Sequence, residues 1–236
     1  MKAYKTNLIL IFLLLGISPW AFSASAEMSS KHLRLVKDLM NNNLAYSQDA
    51  TTTNIIEWEE EIVDSLRQKK DYRNMFLMKQ MAVYAYSLQA KISEALKKAD
   101  AMMDEARLMK YNIGISLSYQ ALGDIYLNAG MRPEAVEEYE KAMKTLQATP
   151  HAEKIQERIF IQLVPTLIKL KRMDEAKAYL EHMSEICESK CLSPFLLYAY
   201  HAYYYLRNND LSKAREYIDE AIKINSRTPS HFYDNI

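Results

Sequence analysis

The segment Ser116–Gln147, SLSYQALGDIYLNAGMRPEAVEEYEKAMKTLQ, contains the pattern that decides the fold. Large apolar side chains recur at intervals of three and four residues from Tyr119 to Tyr126, and small or aromatic ones do so from Ala135 to Ala142. Such intervals place side chains on one face of a helix. Gly130, between the two runs, is a residue type that commonly ends helices. The segment therefore predicts two antiparallel helices joined by a short turn, which together form a helical hairpin.

The second helix of this hairpin has counterparts elsewhere in the chain. An alanine that follows an acidic or polar turn occurs four times, with spacings of 40, 41 and 38 residues, at Ala95, Ala135, Ala176 and Ala214. The chain has only four glycines and six prolines, against roughly sixteen and twelve at average usage. This composition disfavours a turn-rich β-sandwich and a glycine loop that binds phosphate. A repeat of helical hairpins is expected instead.

In segment 116–147 a bulky residue, Leu-Gly, Tyr, Gly, Ala, an aromatic residue and Ala follow one another at set intervals. In this the segment resembles a tetratricopeptide repeat. The resemblance extends, less closely, over residues 76–225. It implies an all-α fold, a right-handed superhelix or α-solenoid of about five antiparallel helical hairpins. Each hairpin in such an array buries its second face only against a neighbour, so stability is collective.

The repeat positions and their spacing imply how the hairpins pack. Gly123 and Ala135 would let two antiparallel helices approach closely, while Tyr126 and Tyr139 would fill wider spaces between hairpins. Spacings near 40 residues exceed the 34 of the standard repeat. The helices are therefore expected to be longer by up to one turn, or the connections to be longer.

Three local signals predict where helices start. Thr149-Pro150 and Ser193-Pro194 each place a capping hydroxyl before a proline at the first helical position. Asn54, with Glu57 three residues later, forms a pair like a capping box. Pro165 lies inside a predicted helix and should bend or end it, because proline removes a backbone donor.

The first 26 residues have the three-part order of a secretory signal. Lys2 and Lys5 precede an apolar run, Leu8–Leu15, and an A-x-A cleavage site ends at Ala26. The apolar run is shorter than the roughly 20 residues that a membrane-spanning helix needs, which favours cleavage over an uncleaved anchor. The mature protein is then expected to have no membrane span and to be periplasmic or secreted.

Four segments are predicted along the chain. They are a signal peptide at 1–26, a degenerate N-terminal helical hairpin at 27–75, the repeats at 76–225 and a C-terminal tail at 226–236. The last predicted helix leaves an apolar face uncovered, and three explanations stay open. The tail folds back through Phe232 and Tyr233, a partner covers the face, or the chain is a shortened form of a longer relative. The third explanation resembles bacterial regulators in which an exported repeat region precedes a transmembrane helix and a cytoplasmic module.

The resemblance also implies which side chains line the concave groove, because proteins of this family carry the groove on the first helix of each hairpin. The implied groove is polar and aromatic and holds charges of both signs. Such a lining suits an extended peptide, whose backbone amides need hydrogen-bonding partners. Its residues are Gln80, Tyr84, Gln120, Asp124, Asn128, Lys169, Tyr203 and Arg207.

Five tyrosines lie close together between Tyr198 and Tyr205. Two interpretations stay open. Exposed rings would serve as a binding hot spot, because tyrosine supplies a large contact area at low entropic cost. Alternatively, the rings only fill space between helices.

The only two cysteines, Cys187 and Cys191, stand at the junction between the third and the last hairpins. In an oxidising compartment they could close a small structural disulfide. Helical spacing of four residues is poor geometry for that bond, although a loop between them could supply it. A disulfide and two free thiols therefore both remain open.

The charged and titratable residues give no sign of catalysis. Thirty Lys and Arg against thirty Asp and Glu leave no net field to attract nucleic acid. The five histidines are scattered without an H-E-x-x-H pair, and no serine or threonine stands in a nucleophile elbow. The acidic run Glu57–Glu61 falls mostly opposite Ile55 and Ile62, which indicates a solvated helix face. We therefore expect no enzyme activity, no metal and no cofactor.

Two functions are consistent with these patterns. The first is a non-catalytic exported scaffold that binds a peptide or protein partner in its concave groove. That role includes the sensing part of a signalling system. The second is a structural assembly factor that self-associates through its last hairpin. The sequence patterns do not identify the partner of the scaffold.

Overall fold

The computed structural model describes the backbone of residues 48–190 and 194–227, and the side chains of residues 55–186 and 194–224. Every regular element within these ranges is an α-helix. The helices are α1 (Gln48–Gln68), α2 (Tyr72–Leu88), α3 (Ile92–Leu108), α4 (Asn112–Asn128), α5 (Arg132–Leu146), α6 (Glu153–Lys169), α7 (Met173–Lys190), α8 (Pro194–Arg207) and α9 (Leu211–Arg227). The prediction of an all-α helical repeat is confirmed.

The described helices divide between two compact units, with the boundary between Ala121 and Leu122, inside α4. In the first unit, α2 packs against both α1 and α3. In the second unit, α6 packs against α7 and α8 against α9 as consecutive hairpins. The boundary predicted after residue 75 lies inside α2. The predicted signal peptide lies outside the described residues.

Helix length explains most of the longer repeat spacing. Helices α2, α3, α4 and α6 each have 17 residues, and the connections after α2, α3 and α4 have three residues each. Helix plus connection therefore takes 20 residues, whereas a 34-residue repeat leaves about 17. The three extra residues are close to one helical turn. Longer helices therefore account for the spacing of 40 residues from Ala95 to Ala135, whereas the longer connection 147–152 contributes to the spacing of 41 from Ala135 to Ala176.

Six connections end their helices with the same hydrogen-bonded turn. After α2, the N–H of Ala90 donates to the carbonyl of Ser87, and the N–H of Lys91 donates to the carbonyl of Tyr86. This pair of bonds is a Schellman motif, in which a left-handed residue lets the last carbonyls of a helix find donors. The left-handed residues have φ between 51° and 80° and are Lys70, Ala90, Lys110, Gly130, Lys171 and Asn209. Only one of them is glycine, so the glycine pattern in the sequence marks a single turn.

A close helix contact in the second unit lies between Gly123 of α4 and Tyr139 of α5. A Cβ atom added to Gly123 would lie 2.5 Å from the Tyr139 ring, far inside the ordinary separation of nonbonded carbons. Tyr139 is fully buried, and its hydroxyl donates a 2.7 Å hydrogen bond to Oδ1 of Asp124. The sequence pattern predicts that Tyr139 fills a space between hairpins, whereas these contacts lie within its own hairpin. The missing side chain at Gly123 makes room for the ring inside its own hairpin.

Small residues also permit close packing in the first unit. A Cβ atom added to Gly114 of α4 would lie 2.9 Å from Cβ of Ala106 and 3.0 Å from the ring of Phe76. The four alanines that recur in the sequence, Ala95, Ala135, Ala176 and Ala214, are all buried. Their burial agrees with the close helix approach that the sequence pattern predicts.

Two of the predicted helix starts are wrong. Helix α1 begins at Gln48, so Asn54 lies inside it. Helix α6 begins at Glu153, well after the predicted cap. Thr149 instead completes the preceding helix, because its hydroxyl donates to the carbonyl of Thr145 at 3.1 Å. A threonine hydroxyl can bond a carbonyl four residues back as well as cap the next helix, and the sequence does not distinguish these uses.

The prolines of the later helices behave differently from each other. Helix α8 begins at Pro194, as predicted, while Ser193 lies outside the described residues. Pro165 does not end α6, which continues for four residues beyond it. Proline has no N–H to donate to the carbonyl four residues back, which here belongs to Ile161. The hydroxyl of Tyr200 in α8 donates to that carbonyl at 3.1 Å and so replaces the missing helical bond.

Candidate functional site

In the first unit, three predicted groove residues lie on the first helices of their hairpins. Gln80 and Tyr84 are one turn apart on α2, and Gln120 is on α4. The two glutamines are buried, whereas Tyr84 is exposed. Oε1 of Gln120 has no hydrogen-bond partner among the described residues. A buried acceptor without a donor costs free energy, but its burial keeps Gln120 out of a partner's direct reach. Tyr84 is therefore the accessible groove residue of this unit.

In the second unit, five predicted groove residues also lie on first helices. Asn128, Lys169 and Arg207 are exposed, and Tyr203 is half-buried. Asp124 is buried, and its carboxylate accepts the hydrogen bond from the buried tyrosine of α5 described above. Its carboxyl group is therefore engaged inside the hairpin. The exposed charges at the groove positions of this unit are both positive.

The packing of α8 on α6 brings two cations to matching positions. The Tyr200 hydroxyl bonds to the carbonyl of Ile161, and the rings of Phe160 and Tyr200 meet edge to face with centroids 5.5 Å apart. Counted from the Ile161–Tyr200 bond, Lys169 and Arg207 lie eight and seven residues further along their helices. That is about two turns in each helix. The two first helices therefore carry their cations at the same end.

An aromatic cluster joins α8 to α9. The ring of Tyr217 in α9 stacks on His201 at a centroid distance of 4.6 Å and on Tyr205 at 5.4 Å, and it lies 6.0 Å from Tyr198. Nζ of Lys213 lies 5.0 Å from the centroid of the Tyr205 ring. Each such aromatic or cation–π contact stabilises by about 0.5–1.5 kcal/mol. The sequence pattern passes over Tyr217, because this residue stands one position before the repeat position.

Packing explains four of the five clustered tyrosines. Two of them contact α9 as described above, and Tyr204 is buried. Tyr200 makes the bond to α6, and burial raises its pKa to about 12. Tyr203 makes no ring contact or hydrogen bond with any other described side chain. Tyr203 therefore remains the tyrosine of this group that is predicted to bind a partner.

His201 links α7 to α8. Its Nε2 atom lies 3.1 Å from Oγ of Ser184. The single proton of that hydroxyl is donated to the carbonyl of Leu180 at 2.8 Å, so Nε2 must carry the ring proton and donate to Oγ. Burial lowers the pKa of His201, although the charge of Glu181 partly opposes this effect. The neutral ring is the form that suits this position.

In the first unit, carboxylates hold helices together. Glu105 of α3 accepts a 2.9 Å bond from Arg67 of α1 and pairs with Lys79 of α2. Burial raises the pKa of Glu105, but the bonds from Lys79 and Arg67 outweigh it and hold that pKa below its usual range. Glu59 of α1 is buried and pairs with Lys98 of α3. The predicted solvated face is therefore wrong for Glu59, because α3 covers it.

The cysteine prediction cannot be placed on the structure, because Cys191 and the side chain of Cys187 lie outside the described residues. Within the described part of the chain, no three His, Cys, Asp or Glu side chains come together as a metal site. No helix in the same ranges combines the length and the apolarity that crossing a bilayer requires.

Comparison with known families singles out two of the hairpins. A family model described as Tetratricopeptide repeat matches residues 117–145 and 197–228. Tetratricopeptide repeats are present at both places. The matches correspond to α4 with α5 and to α8 with α9, so the repeats include both the Gly123–Tyr139 contact and the aromatic cluster. No curated protein matches the chain significantly.

Proposed function

We propose that this protein is a non-catalytic exported scaffold that binds a peptide or protein partner along the first helices of its hairpins. Tetratricopeptide repeats mediate protein–protein interaction. The observation that carries the proposal is the pair of exposed cations Lys169 and Arg207, at groove positions of neighbouring first helices. Neither forms an ion pair with another described residue. The charges of both are therefore available to a partner.

The polar groups favour an extended acidic segment as the partner. In the second unit, Lys169 and Arg207 would bind carboxylates through charge-assisted hydrogen bonds, and Tyr203 would supply apolar contact. In the first unit, the exposed Tyr84 would supply apolar contact.

Peptide binding tests the proposal. Fluorescence anisotropy would measure the affinity of the chain from Glu27 onward for extended peptides that differ only in net charge. We expect the acidic peptides to bind best. The double variant Lys169→Glu/Arg207→Glu should weaken their binding about a hundredfold, because two charge-assisted bonds of about 1.5 kcal/mol each are lost.

A matched control separates the groove from overall charge. Lys97 and Lys144 are exposed on the second helices α3 and α5, and Lys97→Glu/Lys144→Glu changes the net charge by the same amount. This pair should leave peptide affinity nearly unchanged. An equal loss in both double variants would contradict the proposal, because net charge rather than the groove would then attract the peptide. Asn128→Ala/Tyr203→Ala should also reduce capture while helical circular dichroism stays constant.

Export is part of the proposal, and the lysines and apolar run of residues 1–26 support it. Fractionation of cells that express the full chain should recover a shortened species outside the cytoplasm. A full-length species that stays in the cytoplasm would contradict export. A sensing role in a signalling system is proposed from the resemblance to exported repeat regions of bacterial regulators. An adjacent regulator gene would support that role.

A second candidate function is a structural assembly factor that self-associates through its last hairpin. The observation that favours it is the exposure of Leu211, Ile218 and Ile222 on α9, which are 63%, 44% and 59% exposed. Sedimentation at several concentrations tests this candidate, because self-association depends on protein concentration. A monomer throughout the micromolar range would exclude obligate assembly.

A further inference from the structure

Helix α9 presents an apolar stripe formed by Leu211, Ile218 and Ile222, all three of them exposed. Their separations of seven and four residues place them on one face of the helix. The neighbouring face of the same helix is occupied by Ala214 and Ala221, which are buried. The stripe therefore lies beside the surface that packs on α8 and points elsewhere.

Two positions of this stripe are buried or half-buried in the preceding hairpin. Leu180 of α7 stands 38 residues before Ile218 and is only 1% exposed. Ser184 stands 38 residues before Ile222, and its Oγ contacts His201 of the following hairpin at 3.1 Å. At the Ser184 position, α7 therefore contacts the next hairpin. The stripe thus has the character of a helix-packing surface.

The charged residues beside the stripe are placed so that they could pair with the same residues of a second copy. Arg215 and Asp219 are exposed one turn apart on α9, and neither forms an ion pair with a described residue. The midpoint of Arg215 and Asp219 is residue 217, and that of Leu211 and Ile222 is 216.5. Apolar and charged side chains are therefore centred on the same point. A second α9 laid antiparallel about that point would set Arg215 against Asp219 and Leu211 against Ile222.

We propose that the stripe on α9 binds the α9 stripe of a second copy of this chain, antiparallel about a two-fold axis near Ile218. A two-fold interface uses the same patch on both copies, so the patch must be complementary to itself. The matching midpoints provide that complementarity. The inference rests on the second candidate function and specifies its contact. It is independent of peptide binding along the first helices.

Analytical ultracentrifugation of the chain from Glu27 onward tests the contact. The wild-type mass should rise from monomer to dimer across roughly 1–200 µM, since small interfaces are weak. Ile218→Glu/Ile222→Glu should remain monomeric over this range, and circular dichroism should show unchanged helix content because both side chains are exposed. Retained dimer in this variant would overturn the proposal, since another surface would then form the dimer.

Charge reversal gives a sharper test of the antiparallel geometry. Arg215→Glu alone sets acidic groups against each other, Asp219→Arg alone sets basic groups against each other, and each should weaken the dimer at least tenfold. The double variant Arg215→Glu/Asp219→Arg should restore the wild-type affinity. Glu216→Lys is a matched control on another face of α9 and should have little effect. Failure of the double variant to restore the dimer would overturn the antiparallel contact while leaving self-assembly as a function open.

The alternative occupant of the stripe is the segment 228–236 of the same chain. A wild-type protein that stays monomeric at every concentration overturns the proposal. A chain shortened at Arg227 that dimerises where the longer chain does not would assign the stripe to that segment. Dimerisation of both forms, with the same response to charge reversal, supports the second copy.

Discussion

The hairpins α4/α5 and α8/α9 match the same repeat but orient their large second-helix side chains differently. In α5 the repeat position holds Tyr139, whose ring fills the space left by Gly123. In α9 the same position holds Ile218, and the aromatic ring stands one residue earlier, at Tyr217. One residue corresponds to a rotation of about 100° around the helix. The ring of Tyr217 therefore stacks on α8, and Ile218 is left exposed.

The comparison shows that a repeat pattern specifies pairing of helices but not the surface that remains after pairing. In α5 the apolar residues of the repeat face are all buried. In α9 a shift of the aromatic residue by one position keeps the hairpin together through His201 and Tyr205 and exposes an isoleucine. A surface for interaction can thus arise without any change of fold.

The largest expected effect on stability is that of Gly123→Ala, which disturbs the close packing in the hairpin α4/α5. The new Cβ would lie 2.5 Å from the Tyr139 ring, and overpacking of this kind costs about 3 kcal/mol. Urea denaturation would measure the free energy of unfolding. In the last hairpin, Ala202 occupies the place of Gly123, and Ala202→Gly should cost only about 1 kcal/mol through backbone entropy.

A second variant identifies the cause of the Gly123→Ala effect. Tyr139→Leu removes the ring, so the double variant should be less destabilised than the sum of the single variants. Additive losses would contradict the proposed clash between the ring and the new methyl group.

An intermediate effect is expected from Tyr200→Phe, which tests how α8 is held on α6. The change leaves the carbonyl of Ile161 without the donor that replaces the missing N–H of Pro165, at a cost of about 1–2 kcal/mol. In a Pro165→Ala background the helix supplies its own N–H, so Tyr200→Phe should cost less there. Urea denaturation of the wild type, the two single variants and the double variant gives a double-mutant cycle that measures this difference.

Tyr198→Phe is the control for this cycle, because the hydroxyl of Tyr198 makes no hydrogen bond to another described residue. It should cost little in either background. Equal losses from Tyr200→Phe with and without Pro165 would show that the hydroxyl does not substitute for the helical bond.

The smallest effect is a pH dependence specific to the last hairpin. His201 stands where the interior hairpin has Leu122, and burial lowers its pKa below the ordinary 6.5. As the pH falls below about 6.5 the unfolded chain binds the proton first, so the stability from the neutral ring is present above that pH. It is lost as the pH falls through the lower folded-state value. Thermal unfolding at pH 7.5 and 5.5 should therefore show a smaller acid loss in His201→Leu than in the wild type. An identical acid loss in both proteins would be evidence against this role.

The sequence alone predicts the hairpins because helical pairing depends on residues close together in the chain. The helical spacing of apolar residues on either side of Gly130 and the recurring alanines are local patterns, and the structure confirms the helices that they predict. Helix starts are predicted less well, since a hydroxyl such as that of Thr149 can bond backward or forward. Left-handed turn residues such as Ala90 and Lys171 carry no local signal, because the packed helices on either side impose the turn.

The candidate site is less predictable, because burial depends on residues distant in sequence. The repeat pattern assigns both Asp124 and Lys169 to the groove. The structure separates them, since Asp124 bonds to the Tyr139 hydroxyl inside the hairpin and Lys169 is exposed. Tyr217 escapes prediction for a related reason, because only the position of α8 gives its ring a partner.

The three-residue turns limit how a chain of this kind can change length. Their residues are engaged in the Schellman bonds, so an inserted residue would break these hydrogen bonds. One residue added within a helix would rotate everything after it by about 100° and turn the alanine face away from its partner. A single added module of 20 residues would reverse the chain direction, whereas about 40 residues preserve both direction and facing. Length variants should therefore differ by whole hairpins.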